Sequence, residues 1–261
     1  MYDLAAIETA LTGTIFAGKL HFAPVTGSTN TDAREAGHQG APHGSVYLSD
    51  EQTAGRGRGD HAWQSATGEG LYLSVLMRPY LPPNRLALLP LAAGLAASEA
   101  ISGTSGLEVD LRWPNDLLIG PKKTGGILVE SKTDGKAVVF AVVGIGINVH
   151  QRTFDADLAT PGTSLDMEAG RTISRQSLLV CLLKSLEREA MRLQDRDAAR
   201  VVVERLENAS TWLRGRLVEV HGPQACTGVS AGLDESGFLL VNTSCGLVTV
   251  RTGGLRAADE G

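Results

Sequence analysis

The segment Leu86–Ile101 is the most apolar stretch of the sequence, and it constrains the fold more than any other. It is about 16 residues long, and Pro90 and Gly94 interrupt it. A transmembrane helix needs about 20 consecutive apolar residues. The segment is too short for that, so we expect a helix that is buried inside a globular protein.

Strand-like and helix-like patterns lie on both sides of this helix. With 261 residues, 43% of them hydrophobic, the chain suits one sizeable core of helices and strands, with room for a small appendage. Hydrophobic alternation and turn residues predict strands at Ser45–Asp50, Leu71–Met77, Val109–Trp113, Leu117–Ile119, Gly126–Ser131 and Ala137–Val149, with turns at Pro114–Asp116, Pro121–Thr124 and Thr133–Gly135. Further helices are predicted at residues 30–37, capped by Thr29 or Asn30 and stopped by Gly37, and at Gln176–Leu193 and Ala198–Leu206. Residues 51–69 are predicted to form a loop, and residues 150–175 to be irregular.

The sequence pattern changes after Trp212. Short runs of β-type residues, Arg216–Val220, Phe238–Val241 and Leu247–Arg251, are separated by glycine-containing turns. This pattern resembles a small β-barrel of SH3-like size. We therefore expect two domains, at residues 1–209 and 210–261.

Charge and cysteine content exclude several classes of protein. The net charge is −5, so bulk electrostatics give no support for binding nucleic acid. Residues 1–20 are too few for a DNA-binding domain, and they do not have the pattern of a signal peptide. The scattered cysteines Cys181, Cys226 and Cys245 argue against a disulfide framework or a structural zinc site. A reducing, cytoplasmic location is expected.

The segment Gly55–Gly59 alternates three glycines with two arginines. Glycines let backbone N–H groups approach an anion closely, and arginine forks match phosphate or carboxylate oxygens. The alternative is a flexible surface loop with solvated arginines. The segment is not a P-loop, because the pattern GxxxxGK[ST] is absent from the sequence.

Four other segments allow both a structural and a functional explanation. Gly27–Asn30 is typical of a helix cap, but hydroxyl and amide groups there also favour polar ligands. Arg112–Asp116 is typical of a tight turn, or places Asn115 and Asp116 at a pocket rim as nucleotide or Mg²⁺ contacts. In Lys122–Glu130 a lysine stands just before a glycine-led strand, and it is either a turn lysine in water or one that reaches inward to an anionic substrate. Gly144–Asn148 is either a buried strand packed against a helix or a strand that a ligand approaches closely. In the second case the side-chain amide of Asn148 could form hydrogen bonds with an edge of adenine.

The order and spacing of the five segments together resemble the biotin–protein ligase family. The family pattern includes GSTN, a GRGR loop followed by Trp, a [KR]WPND turn, KxxGILxE and GIGxN. This sequence has GSTN at 27–30, GRGR at 55–58 with Trp63, RWPND at 112–116, KTGGILVE at 123–130 and GIGIN at 144–148. The resemblance implies an α+β fold of the class II synthetase-like biotin/lipoate ligase type. That fold has a mixed β-sheet with flanking helices and a small C-terminal SH3-like β-barrel, here in the short form without a DNA-binding domain.

The resemblance also implies a role for individual residues. Lys123 and Arg58 correspond to the catalytic residues, because they stabilise charge on the carboxylate and the α-phosphate. The biotin and biotinyl-adenylate site corresponds to Ser28, Thr29, Asn30, Gln52, Gly55, Arg56, Gly57, Arg58, Lys123, Gly126, Ile127, Gly144 and Gly146. The nucleotide site corresponds to Trp63, Arg112, Asn115, Asp116 and Asn148. No fixed protein site for a metal is expected, since Mg²⁺ would enter with the ATP phosphates.

The implied reaction has two steps. The carboxylate of biotin attacks the α-phosphate of ATP, pyrophosphate leaves, and a lysine of a carboxylase biotin carrier domain then displaces AMP. Asp116 is a candidate for helping to deprotonate that lysine. The expected protein binds neither DNA nor a membrane and is a monomer or a homodimer.

Two alternatives and two departures from the family pattern remain. A lipoate– or octanoyl–protein ligase would have a narrow apolar pocket without the polar pair Ser28 and Gln52, and a non-catalytic biotin-binding regulator would keep the pocket but lack turnover. Arg112 stands where several relatives carry lysine, which keeps the charge and changes the geometry. The loop tail Gly59-Asp60-His61 is less basic than in some relatives, so its ATP contacts are open.

Overall fold

The computed structural model describes residues 2–59, 61–79, 83–135 and 137–258. Asp60, in the tail of the glycine–arginine loop, lies outside the described residues, as do residues 259–261 of the expected second domain. Within the described ranges the helices are α1 (Leu4–Ala10), α2 (Thr29–His38), α3 (Leu88–Ser105), α4 (Leu165–Ala169), α5 (Arg175–Arg192) and α6 (Ala198–Asn208), with a short 3₁₀ turn at Pro83–Arg85. None of the helices in those ranges is long and apolar enough to cross a membrane.

Seven strands of the described chain form one mixed sheet. They are β1 (Leu20–Thr26), β2 (Ser45–Gln52), β3 (Gly70–Met77), β4 (Asp110–Arg112), β5 (Asp116–Ile119), β6 (Lys122–Thr133) and β7 (Val138–Asn148). The strand order is β1-β2-β3-β7-β6-β5-β4, and only the β1–β2 pair is parallel. This arrangement confirms the mixed sheet with flanking helices.

One face of this sheet is apolar and packs against helices. Along β3, Leu71, Leu73 and Val75 are at most 1% exposed. They share one buried cluster with Val143 and Ile145 of β7. Successive side chains of a strand point to opposite faces, so the intervening residues of both strands lie on the other face.

Helix α3 confirms the expected buried helix and packs against α5 and the sheet. Pro90 does not interrupt it, because the residue lies in the first turn, where backbone N–H groups need no intrahelical partner. The helix ends at Gly106, whose positive φ of 79° supplies the left-handed cap.

The C-terminal region forms a second, antiparallel sheet of five strands within the described residues. Its strands are β8 (Arg214–His221), β9 (Cys226–Leu233), β10 (Leu239–Thr243), β11 (Gly246–Val250) and β12 (Gly254–Ala257), in the order β11-β10-β9-β8-β12. It contacts the first sheet's hairpin, where the Trp113 indole N–H donates to the Gly237 carbonyl at 3.1 Å. Buried residues of both sheets belong to one continuous cluster.

Several local predictions from the sequence were wrong. Ser28, and not Thr29 or Asn30, is the cap residue of α2. Gly37 does not end that helix; it packs closely against the sheet, since a Cβ there would come within 2.9 Å of the Leu76 side chain. The predicted turn Pro121–Thr124 is mostly strand, since β6 begins at Lys122. The irregular residues 150–175 include α4.

Candidate functional site

A cavity of about 840 Å³ lies against the second face of the seven-stranded sheet. Its floor is the part of β6 and β7 where glycines replace larger residues. The glycine–arginine loop, the hairpin turn after β4 and residues 252–256 of the second sheet form its walls. All of the residues that the motifs nominated line this cavity, except Thr29 and Gly55.

A network of neutral polar groups occupies one end of the cavity. The N-terminus of α2 presents Thr29 and Asn30 to the sheet. The backbone N–H and the hydroxyl of Thr29 donate to Gln52 Oε1 at 2.9 and 3.1 Å. The Gln52 amide nitrogen donates to Ser65 Oγ at 2.8 Å, and Ser74 Oγ donates to Asn30 Oδ1 at 2.6 Å. Thr29 therefore contributes indirectly, because it fixes the amide of Gln52 at the cavity wall.

The glycines of β7 allow side chains to lie directly on the strand. A Cβ on Gly144 would collide with the amide of Asn30, and a Cβ on Gly146 would lie 2.5 Å from the indole nitrogen of Trp63. A Cβ atom essentially never makes contacts that close, so any side chain at these positions would displace Asn30 or Trp63. Close approach over β7 thus explains the glycine spacing that the sequence shows.

The other end of the cavity is cationic. Lys123 Nζ lies 2.5 Å from Asp116 Oδ1, and Arg112 Nη2 lies 2.7 Å from Asp116 Oδ2. The backbone of Lys123 is held on both sides, since its N–H donates to the Pro161 carbonyl and its carbonyl accepts from Thr163 N–H. Lys123 is therefore a strand residue with a fixed main chain and not a turn lysine in water.

The carboxylate of Asp116 is held in its charged form. Burial alone would raise its pKa, but the charges of Lys123 and Arg112 and their hydrogen bonds outweigh burial and hold the pKa below its ordinary value. An efficient general base has a pKa near the working pH. Asp116 is thus suited to orienting the two cations and poorly suited to accepting a proton from a lysine.

The two arginines of the loop bind different parts of the molecule. Arg56 forms an ion pair with Glu130 of β6, which also accepts a hydrogen bond from Asn30 at 2.8 Å. Arg58 Nη1 donates to the carbonyl of Gly253 at 2.8 Å, which links the loop to the second sheet. Burial lowers the pKa of Arg58, while the Asp116 carboxylate raises it.

Three further residues nominated for the nucleotide, Trp63, Asn115 and Asn148, also line the cavity. The Asn115 amide donates to the Ile127 carbonyl at 2.9 Å, and the Asn148 amide donates to the Thr163 carbonyl at 3.1 Å. Lys123 Nζ lies 5.6 Å from the centre of the Trp63 ring. The two amide nitrogens and the Asn148 oxygen, which accepts from Gln151 Nε2 at 3.4 Å, are thereby bonded within the protein, while the aromatic ring of Trp63 lines the cavity.

The sequence motifs did not nominate several residues that line the cavity. Among them are Gln151, Thr160, His221, Gly253 and Arg256. Thr160 accepts a hydrogen bond from Arg112 at 2.8 Å, and Gly253 contributes a backbone carbonyl. No group of three or more His, Cys, Asp or Glu side chains in the described ranges is placed to hold a metal ion.

Comparisons with known proteins agree on one family. Residues 22–148 match the Biotin/lipoate A/B protein ligase family. The bifunctional ligase/repressor BirA of Bacillus spizizenii is 38% identical over 171 residues, which are 63% of this chain and 53% of that protein. The biotin–[acetyl-CoA-carboxylase] ligase of Mycobacterium tuberculosis is 31% identical over 233 residues, covering 87% of this chain and 85% of that enzyme.

The fold agrees with the same family. The structure of the Aquifex aeolicus biotin protein ligase in complex with biotin and ATP aligns with a TM-score of 0.79 and 29% identity, covering 92% of this chain and 100% of that one. The chain therefore belongs to the biotin/lipoate A/B protein ligase family, and this confirms the resemblance drawn from the five motifs. It spans about half the length of the two Bacillus relatives that it matches.

Proposed function

We propose that this chain is a biotin–protein ligase that activates biotin with ATP to biotinyl-5′-AMP and transfers the biotinyl group to a lysine of a carboxylase biotin carrier protein. The observation that carries the proposal is a single cavity with a neutral hydrogen-bonding end and a cationic end. Biotin has the same polarity, with a polar ureido ring at one end and a carboxylate at the other.

The neutral end binds the ureido group. Ser28, Thr29, Asn30 and Gln52 supply hydroxyl and amide groups, and an analogue lacking the ureido group would forgo hydrogen bonds to this polar wall, which favours biotin. A narrow apolar pocket for a lipoyl chain would not contain the hydrogen-bonded pairs Thr29–Gln52 and Asn30–Ser74. The polar network therefore supports biotin over lipoate or octanoate.

The cationic end offsets repulsion between two anions. The carboxylate of biotin must approach the α-phosphate of ATP, so Lys123 and Arg58 stabilise the charge that develops as pyrophosphate leaves. Arg56, Gly55, Gly57, Gly126 and Ile127 enclose the resulting adenylate, which keeps water from the reactive anhydride. Trp63, Arg112, Asn115, Asp116 and Asn148 hold the nucleotide.

Magnesium is needed as the partner of the ATP phosphates. Asp116, the carboxylate at the cationic end of the cavity, is already paired with Lys123 and Arg112. It is therefore a poor ligand for a resident ion, so Mg²⁺ enters and leaves with the nucleotide.

The second sheet assists the reaction as a distinct domain. We place its boundary near residue 210 and assign it the SH3-like fold, with residues 1–209 as the catalytic domain in the cytoplasm. The hydrogen bond from Arg58 to Gly253 and the position of Arg256 in the cavity wall support a role in closing the site or docking the carrier.

Pyrophosphate release tests the proposed activation step. The purified protein with Mg²⁺ and ATP should release pyrophosphate when biotin is added, and far less when lipoate, octanoate or no acid is added. Release with lipoate in place of biotin would favour a lipoate ligase. Tight binding of biotin without pyrophosphate release would favour a non-catalytic regulator.

A further inference from the structure

A carboxylate just outside the cavity holds two residues of the cavity wall. Glu130 of β6 does not line the cavity, whereas Asn30 and Arg56 do. One oxygen of its carboxylate, Oε2, accepts a hydrogen bond from Asn30 Nδ2 at 2.8 Å and lies 2.5 Å from Arg56 Nη2. The same atom therefore links the neutral polar network at the start of α2 to the glycine–arginine loop.

The register of the sheet explains why Glu130 reaches Asn30. In the β6–β7 pair, Leu128 lies opposite Gly144, and Glu130 lies opposite Val142. Residues two apart on a strand share a face, so Glu130 follows Leu128, a residue of the cavity lining, on the same face of β6. Asn30 lies over Gly144. Glu130 is thus one residue pair away from Asn30 along the sheet.

The contact with Glu130 fixes the orientation of the Asn30 amide. In its ion pair with Arg56 the carboxylate is charged, and a charged carboxylate accepts hydrogen bonds but donates none. It therefore requires the Nδ2 end of the Asn30 amide, so Oδ1 faces Ser74, whose hydroxyl donates to it at 2.6 Å. A flipped amide would place an oxygen against the carboxylate. Glu130 thereby sets which polar atoms Asn30 presents at the neutral end of the cavity.

The contact with Arg56 holds the segment that crosses β7. The Trp63 N–H donates to the Gly55 carbonyl at 2.9 Å, so Arg56 and Trp63 belong to one segment that folds back on itself. Trp63 lies over Gly146. The ion pair between Arg56 and Glu130 therefore attaches this segment to β6, beside the strand that it covers.

We propose that Glu130 is a positioning residue for the activation of biotin. Through Asn30 it fixes polar groups that meet the ureido ring, and through Arg56 it holds the loop that encloses the adenylate. This inference rests on the proposed function, because it takes biotin to be the ligand at the neutral end. Glu130 lies outside the cavity, so it acts only through these two residues.

Two substitutions of Glu130 separate the two contacts. Glu130→Gln keeps an acceptor for Asn30 and removes the charge that pairs with Arg56, whereas Glu130→Met removes both. In titration calorimetry without nucleotide, biotin should bind on the order of 10-fold more weakly to Glu130→Met, and about as tightly to Glu130→Gln as to wild type. The kcat of biotin-dependent pyrophosphate release should fall in both variants, by about 3-fold in Glu130→Gln, which is the scale of a partly exposed ion pair.

Two arginine variants serve as controls. Arg34 Nη1 lies 3.5 Å from the other oxygen of the same carboxylate, and its side chain is 44% exposed. Arg34→Met should therefore leave biotin affinity and kcat close to wild type. Arg56→Met should lower kcat at least as much as Glu130→Gln does, and combining the two should cause no further loss, because both remove the same ion pair.

The outcomes distinguish this inference from the proposed function. A wild-type protein that binds no biotin would contradict the proposed function and the role of Glu130 with it. Normal biotin binding and pyrophosphate release by wild type, together with unchanged biotin affinity in Glu130→Met, would contradict the role of Glu130 alone. Biotin binding that is equally weak in Glu130→Gln and Glu130→Met, or losses of kcat that add fully in the double variant, would also overturn it.

Discussion

The two faces of the seven-stranded sheet are made from the same strands and have opposite properties. On one face, Leu73 and Val143 are at most 1% exposed and pack in the core beneath helices. On the other face, Ser74 pairs directly with Gly144, and Tyr72 with Gly146. The first face gains stability from buried apolar area. The second face gives up side-chain volume and thereby leaves room for a ligand, so stability and ligand binding should respond separately to mutation.

The largest effect should come from adjacent lysines that lie on opposite sides of β6. Lys123 pairs with Asp116 in the cavity, whereas Lys122 pairs with Glu168 and its side chain is 44% exposed. Lys123→Ala should lower the rate of biotin-dependent pyrophosphate release on the order of 10²-fold or more, because a charge that faces two anions is lost. Lys122→Ala should stay close to wild type. Similar rates for the two variants would contradict the assignment of Lys123 to the reaction and of Lys122 to the outside of the cavity.

Paired substitutions on β3 and β7 separate the two faces directly. Gly146→Ala places a methyl group against the Trp63 indole, so it should reduce biotin-dependent activity on the order of 10-fold or more through lost positioning, with little change in stability. Leu73→Ala, on the core face, should cost about 2–5 kcal/mol of unfolding free energy and leave the activity of the folded fraction unchanged. Urea unfolding measures the unfolding free energy of each variant, and a pyrophosphate assay measures its activity. Loss of activity per folded molecule in Leu73→Ala would contradict the claim that the two faces respond separately to mutation.

The sequence predicted the central strands of the sheet better than the edge strand β1. The strands β3 and β7 have continuous β-type runs, and the five motifs located the floor of the cavity and part of its walls. The edge strand β1 was missed, because Pro24 and an irregular burial pattern hide its alternation. Helix α1 and the strands β9 and β12 also had no clear pattern in the sequence.

Residues far apart in sequence were also missed at the site. Gln151 and Arg256 follow no glycine pattern and reach the cavity only through folding. Gly253 acts through its backbone carbonyl, and glycine is needed there because of its φ of 140° and the nearby His221 carbonyl, so the residue type does not reveal the contact with Arg58. The spacing of residues along the chain therefore reveals the ligand-binding strands and loops. It does not reveal the parts of the cavity wall that are distant in sequence and meet only in the folded protein.

A smaller effect is expected where the loop meets the second sheet. Arg58→Gly removes the hydrogen bond to Gly253 and a charge that would hold the adenylate phosphate. Biotinyl-adenylate should then escape and label lysines of an unrelated protein several-fold more than wild type does, on the scale expected for one charge-assisted hydrogen bond. Arg152→Gly, an exposed arginine outside the cavity lining, is the control. Adenylate synthesis by Arg58→Gly without extra labelling would show that Arg58 does not retain the intermediate.

The smallest effect concerns the pH dependence of Asp116. Its pKa lies below the ordinary value of 3.8, so its ion pairs stabilise the fold at any pH above that value and lose this contribution as the pH falls through the folded-state pKa. Asp116→Asn should therefore lower the unfolding free energy by about 1–3 kcal/mol equally at pH 7 and pH 5, and the difference should shrink below pH 3.8. Urea unfolding across this range measures it. A difference that already vanishes by pH 5 would contradict a lowered pKa.

The most direct measurement of the proposed reaction uses the acceptor itself. The protein is incubated with ATP, Mg²⁺, biotin and the biotin carrier domain of a carboxylase, and the carrier is analysed by mass spectrometry. The account predicts that one biotinyl group is attached to one carrier lysine, and that Lys123→Ala slows this modification on the order of 10²-fold or more while Lys122→Ala does not. A carrier that stays unmodified by wild-type protein, or that accepts lipoate in place of biotin, would contradict the account.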